Sequence, residues 1–382
     1  MNNGAGNNDQ IEAHFHSGGL HSSDIFELIL ANDYDSIDET LTGSLAQIRN
    51  RGGHRCWHKH STFLDHLLNV HNILRLWEQT PKVGRVGLFH SAYSNSYVNL
   101  ALFDPNQDSE RDEMKKLVGS DADLMIHLFC VIDRQKVVVK TLLANGYIPK
   151  DGLNVKHLRE DSTIFLSAEI LKMLTIFTMA DVADQYFGWQ DRLFGGIRQE
   201  NSMLSTEDDD ELQHESTSLW PGPSQPGLWM SYVFKLGAVA KTYEGEDESS
   251  ILPVPALFDN CTITLSKENE RKASDLYWSF VMNLVPEEAV IDSLKLSIEY
   301  NPWYFEGYVM LAQKCLHINR KADAEKMTSR ALELQRLWGT AYDKRLSFPA
   351  WVSWTRVLQQ RSKSILKWPT NSWEVNNFGM VH

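Results

Sequence analysis

The stretch His66–Ser91, HLLNVHNILRLWEQTPKVGRVGLFHS, begins on one histidine and reaches another, His90, 24 residues later. Its first half has the pattern of an amphipathic helix. Counting from just upstream, Phe63, Leu67, Val70, Leu74 and Trp77 recur at spacings of four, three, four and three, which lays one apolar stripe along a helix face. Pro81 cannot continue a helix, so the pattern predicts that this one closes there. A second helical pattern over about 83–90 ends in GLFHSAYSNS, Gly87–Ser96, where His90 is followed by Ser91.

Outward from this pair the helical period persists. A pattern begins at DIFELILANDY, and others cover about 110–130, 135–145 and 162–188, separated by turn signals at Asn145-Gly146 and Pro149-Lys150-Asp151-Gly152. The β-branched run QKVVVKTLL, from Gln135, is expected to continue as helix. Residues 1–20 are rich in Asn, Gly and His and read as a disordered terminus. Between 199 and 227 an acidic cluster, Glu207 to Glu211, precedes Pro221, Pro223 and Pro226; such a stretch repels itself and has little to bury, so it reads as a linker. The expected organisation is therefore a helical domain over 20–198, the linker over 199–227, and a second helical domain over 228–382.

The second domain carries an internal register of 34 residues, which sets Val290 over Ala324, Leu294 over Thr328 and Ser297 over Ala331. This segment resembles the tetratricopeptide repeat, with Tyr308, Leu311, Ala312, Ala324 and Ala331 at matching places and Pro302 in the position of the inter-repeat proline. Cys315, Asn319 and Thr328 depart from the pattern. The resemblance covers about 270–345 and implies stacked helical hairpins with a groove for a peptide or protein partner. The fold class that follows is all-α.

Composition narrows the function classes. A formal net charge of -13 opposes broad attraction to nucleic acid or anionic membrane, so neither is expected as a partner. The four cysteines, Cys56, Cys130, Cys261 and Cys315, form no close pair and read as free thiols. No secretory signal or bilayer-length apolar run occurs, which gives the expectation of an intracellular, cytoplasmic protein. Dinucleotide, P-loop, serine-hydrolase and zinc-protease signatures are all missing.

The His66 and His90 segments resemble the HD superfamily of metal-dependent phosphohydrolases. The likeness in spacing is to the hydrolase domain of the stringent-response guanosine-tetraphosphate enzymes, in which a helix of the form HP..VA.IL leads to ALLHD. It continues into RDEMKKLVGSDADLMIHLF, Arg111–Phe129, and into LTIFTMADVADQY, Leu174–Tyr186, similar to that family's LADRLHN helix. Plant proteins of unassigned function look similar in joining such a domain to a tetratricopeptide-like tail. Carried over residue by residue, the resemblance implies a divalent cation, Mn, Fe or Mg, held by His66, His90 and Asp181.

Ser91 stands where the family has its second carboxylate. A hydroxyl there removes one negative charge and one good oxygen ligand, which weakens or abolishes metal binding, although two imidazoles and one carboxylate still make up a facial triad. The acidic pair that helps those hydrolases activate water is also absent, since no carboxylate occurs between Ser91 and Asp104. Asp184 and Asp65 are the candidate replacements for a catalytic base. Arg51, Arg55 and Lys59, with Ser91, are candidates for an anionic substrate's entrance. His54, His58 and His60 read as surface or turn residues, and Asp133-Arg134 as a supporting ion pair or a helix cap. Three functions are compatible with these residues: a scaffold or regulator with a degenerate ligand- or metal-binding domain, a metal-dependent phosphohydrolase of nucleotides or small phosphate esters, and an iron-dependent oxygenase.

Overall fold

A computed structural model describes residues 20–58, 60–94, 100–185, 228–243, 252–259, 265–365 and 367–369. The segments read as a disordered terminus and an acidic linker, and Lys59, lie outside the described residues. The fold is mostly helical, with two small antiparallel strand pairs among the described residues. Among them no helix is long and apolar enough to cross a membrane.

The described residues fall into two compact units. The first holds 20–185 together with 232–243 and 252–259; the second holds 228–231 and everything from 265 onward. Helices α1 (Ser22–Ala31) and α2 (Leu41–Asn50) lead into the hairpin β1 (Trp57–His58) and β2 (Ser61–Thr62), which runs straight into α3 (Phe63–Leu76) and α4 (Pro81–Phe89). Then come α5 (Asp108–Val118), α6 (Ser120–Val131), a π-helix (Gln135–Leu142), the hairpin β3 (Leu153–Lys156) and β4 (Thr163–Leu166), and α7 (Ala168–Gln185).

The apolar stripe of α3 is buried as the periodicity predicts: Phe63, Leu67, Val70, Leu74 and Trp77 are all in the core. Pro81 does something different from what the sequence reading gave it. The α3 helix ends at Leu76, Glu78 takes a left-handed φ of 60°, and Pro81 opens α4 as its first residue behind the N-cap Thr80. A first-turn proline leaves no hydrogen bond unmade, because that N–H has no helical partner anyway. Gly87 lets α4 lie close against α3, since a Cβ there would meet Leu74 Cδ1 at 2.4 Å.

Two further expectations change. The pattern read as a helix from 162 begins instead as strand β4, and the helix starts at Ala168. Gly152 explains the hairpin: it has a φ of +71°, and a Cβ on it would stand 2.3 Å from the backbone oxygen of Leu166, so only glycine lets the two strands close. The run from Gln135 is helical, in the wider π form. In addition, 232–243 and 252–259, placed by sequence in the C-terminal domain, group with the first unit. Their apolar residues find partners there: Phe258 packs edge-on against Trp77 at 6.0 Å, and Gln79 donates to the Pro253 carbonyl at 2.7 Å.

The second unit is a succession of packed helices, α8 (Lys267–Val281), α9 (Val290–Tyr300), α10 (Phe305–His317), α11 (Lys321–Trp338) and α12 (Phe348–Lys363). All six residues aligned by the 34-residue register are buried. Its interior also holds carboxylates. Glu306 is fully buried and accepts from the backbone N–H groups of Tyr342 at 2.7 Å and Asp343 at 3.1 Å. Burial pushes its carboxyl up to about 8, with the Asp343 carboxylate adding to the shift and the N–H donors opposing it.

Glu306 thus binds a proton more tightly folded than unfolded, so it lowers stability as pH rises from its ordinary value of 4.5 through about 8. Replacing it as Glu306→Gln keeps an acceptor for both N–H groups and removes the titration. The variant is expected to lose less stability than the native chain between pH 5 and about 8.5, measured by urea unfolding at each pH. Parallel curves for the two proteins would contradict this assignment.

Candidate metal centre

Three helices deliver one side-chain cluster. His66 lies in the first turn of α3, whose start is fixed by a capping box: the Thr62 hydroxyl accepts from Asp65 N, and the Asp65 carboxylate accepts from Thr62 N. Such a cap stabilises a helix start by about 1 kcal/mol. His90 is the residue that closes α4. Asp181 and Asp184 project from α7, a helix buried from Ile170 to Asp184 on every side. His66, His90, Asp181 and Asp184 are each no more than 2% exposed.

His66 Nε2 is 3.3 Å from His90 Nε2 and 3.3 Å from Asp181 Oδ1, and His90 Nε2 is 3.5 Å from the same oxygen. These three donor atoms form the group able to hold a metal ion. Two ligands bound to one cation at about 2.1 Å lie roughly 3.0–3.4 Å apart for right-angled to tetrahedral arrangements, so the triangle is of fitting size. The opposite nitrogens are both anchored. His66 Nδ1 donates to Asp184 Oδ2 at 2.7 Å, and His90 Nδ1 donates to the Gly87 carbonyl at 2.7 Å. Anchoring of this kind fixes the ring and turns the remaining nitrogen's lone pair toward a metal. The residues present therefore fit a divalent cation.

Arg134, just before the π-helix, sits behind the ligand carboxylate. Its guanidinium contacts Asp181 Oδ2 at 3.2 Å and lies 3.5 Å from the centre of the Phe129 ring. Burial by itself would raise the Asp181 carboxyl, but His66, His90 and Arg134 together hold it well below the usual carboxylate range. Burial likewise pulls His66 down, yet Asp181 and Asp184 outweigh it and bring the imidazole to about 9. Burial dominates at His90, which is lowered and stays neutral near pH 7.

The other residues singled out by sequence are placed elsewhere or in other roles. Asp65 is exposed and belongs to the α3 cap, which its spacing from Thr62 could have disclosed. Asp184 is bound to His66 and serves as an orienting carboxylate. Arg51 pairs with Glu110 and Glu113 at 2.7 Å each and lies 3.6 Å from the centre of the Phe103 ring. Arg55 is exposed and contacts His54. Ser91 is buried beside His90.

His58, read from the sequence as a surface or turn residue, lies against the cluster. The β1–β2 hairpin, paired Trp57 with Thr62 and His58 with Ser61, folds it back over the start of α3. Its ring lies against that of His66, with centroids 4.5 Å apart and planes tilted by 31°, and its Nε2 lies 3.1 Å from Gln185 Oε1. By sequence His54, His58 and His60 read as surface or turn residues, and two-residue strands carry no periodic signal that would have shown the hairpin.

A domain family described only as a domain of unknown function (DUF6817) matches residues 47–134. That span includes His58, His66, His90, Ser91 and Arg134, and stops short of Asp181. No curated protein and no solved structure matches the chain.

With its imidazole at about 9, His66 of the metal-free protein is protonated on both nitrogens at neutral pH. A cation must displace the Nε2 proton, so apparent affinity is expected to rise about tenfold per pH unit up to about 9 and then level off. Calorimetric titration with zinc in buffers of different ionisation enthalpy is expected to report close to one proton released per ion at pH 7. Affinity independent of pH would show that His66 is not a ligand.

Proposed function

We propose that the first unit is a divergent HD-type metal-binding domain whose ion is held by His66, His90 and Asp181, and that the protein is a metal- or ligand-dependent regulator with a tetratricopeptide-like second unit for docking a protein partner. The observation that carries this reading is the orientation of the two imidazoles: each is anchored through Nδ1, so both Nε2 atoms meet one oxygen of Asp181. Two nitrogens among three donors favour a first-row transition ion such as iron, manganese or zinc over magnesium.

The carboxylates bear on turnover. Asp184 is engaged with His66 and Asp65 with the α3 cap, so neither stands as a free base for water attack. This favours binding over catalysis. The second reading is hydrolysis of a small phosphate ester or nucleotide, which the retained donor set supports: a bound cation lowers the pKa of its own water and polarises a phosphoryl oxygen. In that reading Arg134 keeps Asp181 charged, and Asp184 keeps His66 aligned.

Protein purified without chelator is expected to contain close to one transition ion per chain, and Asp181→Ala to contain less than a tenth of that, by elemental analysis. Equal metal in both would remove the proposal. A screen of phosphate-containing metabolites with manganese separates the two readings. The regulatory reading predicts phosphate release only after Ser91→Asp restores the second carboxylate; release by the native chain, abolished in Asp181→Ala, would establish hydrolysis.

A further inference from the structure

Asp181 meets the imidazoles with one oxygen and Arg134 with the other. Oδ1 is 3.3 Å from His66 Nε2 and 3.5 Å from His90 Nε2, whereas Oδ2 is 3.2 Å from Arg134 Nη1. A carboxylate can bind a cation through one oxygen or through both. To use both, Asp181 would have to turn Oδ2 away from the guanidinium, and parting a buried ion pair is strongly destabilising. The side chains of Arg134 and Asp181 are only 10% and 3% exposed, so water offers little compensation.

The chain around Arg134 holds it in that place. The Val131 carbonyl accepts from Leu158 N at 2.9 Å, and Ile132 pairs with His157 in an isolated antiparallel bridge, so the end of α6 is tied to the chain just beyond β3. Arg134 N then donates to the Ile132 carbonyl at 2.9 Å in a tight turn, and the Asp133 carboxylate accepts from Lys136 N at 3.0 Å at the start of the π-helix. Of the pair Asp133-Arg134, one residue thus serves as a cap and the other as the ion pair. Runs of π-helix are rare and recur at functional sites. The guanidinium also lies 3.5 Å from the centre of the Phe129 ring, and that ring meets His90 edge-on, with centroids 5.2 Å apart and planes at 82°. The same brace therefore touches a second residue of the donor set.

We propose that Arg134 is a positioning residue that confines Asp181 to one-oxygen coordination and so keeps the centre at three protein donors, open to a small exogenous ligand. The proposal rests on the reading of the first unit as a metal centre. A closed donor set marks a structural site, whereas an open position is where water or another ligand binds the ion. The guanidinium also adds positive charge beside the ion, which favours an anion in that position. Arginine suits both tasks, because it stays charged when buried and its planar group can lie over an aromatic face while contacting a carboxylate.

Cobalt(II) bound to the full-length chain tests this, with affinities from competition against a chromophoric chelator, visible absorption as the readout of coordination, and azide as the added anion. The wild type is expected to take up azide with a shift of its cobalt bands, and its zinc form to fit one carboxylate oxygen in X-ray absorption. Arg134→Met, checked for native helix content by circular dichroism, frees Oδ2 for the ion. Its cobalt bands are expected to weaken as the coordination number rises, its azide affinity to fall at least about tenfold, and its preference for manganese over cobalt to grow by a similar factor. Arg134→Lys, which keeps a cation on Oδ2, is expected to stay closer to the wild type in all three. Equal loss of manganese and cobalt affinity in Arg134→Met, with unchanged bands, would reduce Arg134 to a support of the fold. A wild type that takes up no azide, or that binds zinc through both carboxylate oxygens, would overturn the proposal whether or not the variants fold. No cobalt uptake by the wild-type chain would instead remove the centre itself, and this role with it.

Discussion

The first unit is organised around a buried negative charge. Asp181 is almost wholly withdrawn from water, and an isolated carboxylate in that position would cost several kcal/mol. It is tolerated because its two oxygens face different partners: Oδ1 meets the protonated His66 and the neutral His90, and Oδ2 meets Arg134. Removing any one partner leaves the others with an imperfect balance. The same arrangement that makes the metal-free cluster stable, a proton held between imidazole and carboxylate, is what a cation would replace.

Around that charge the fold controls orientation through backbone devices. A capping box fixes where α3 starts and therefore which residue its first turn presents to the interior. The proline after Thr80 starts α4 cleanly, and Gly87 serves twice, permitting close helix packing and offering its carbonyl to His90. Asp184 lies three residues from Asp181 on α7, so one helix supplies both the oxygen that faces the imidazoles and the carboxylate that aligns one of them. Pre-orientation of this kind is a general feature of sites that bind metal with a small number of protein ligands.

Much of this was legible in the sequence. The stripe Phe63, Leu67, Val70, Leu74, Trp77 declared a helix by its period, and the 24-residue interval between His66 and His90 could span a helix, a turn and a second helix. The roles of the charged residues were less legible. Arg51 and Asp65 look like site residues because they are close in sequence to His66, but their partners, Glu110, Glu113 and Thr62, satisfy ordinary structural needs. His58 looked like surface because short strands have no periodic signature, and only the hairpin pairing brings its ring against His66. The capture of 232–243 and 252–259 by the first unit was hidden for a related reason: composition marks where a linker is, but not which surface the following apolar residues will cover.

A metal in the first unit would sit at one point in space, the centre of the triangle formed by His66 Nε2, His90 Nε2 and Asp181 Oδ1. Anomalous X-ray diffraction from crystals grown with zinc and recorded on both sides of its absorption edge examines that point directly. A single strong difference peak within bonding distance of those three atoms, with Arg134 still on the far oxygen of Asp181, is the predicted result. Well-ordered density for the three side chains with the anomalous signal lying elsewhere on the molecule would contradict it.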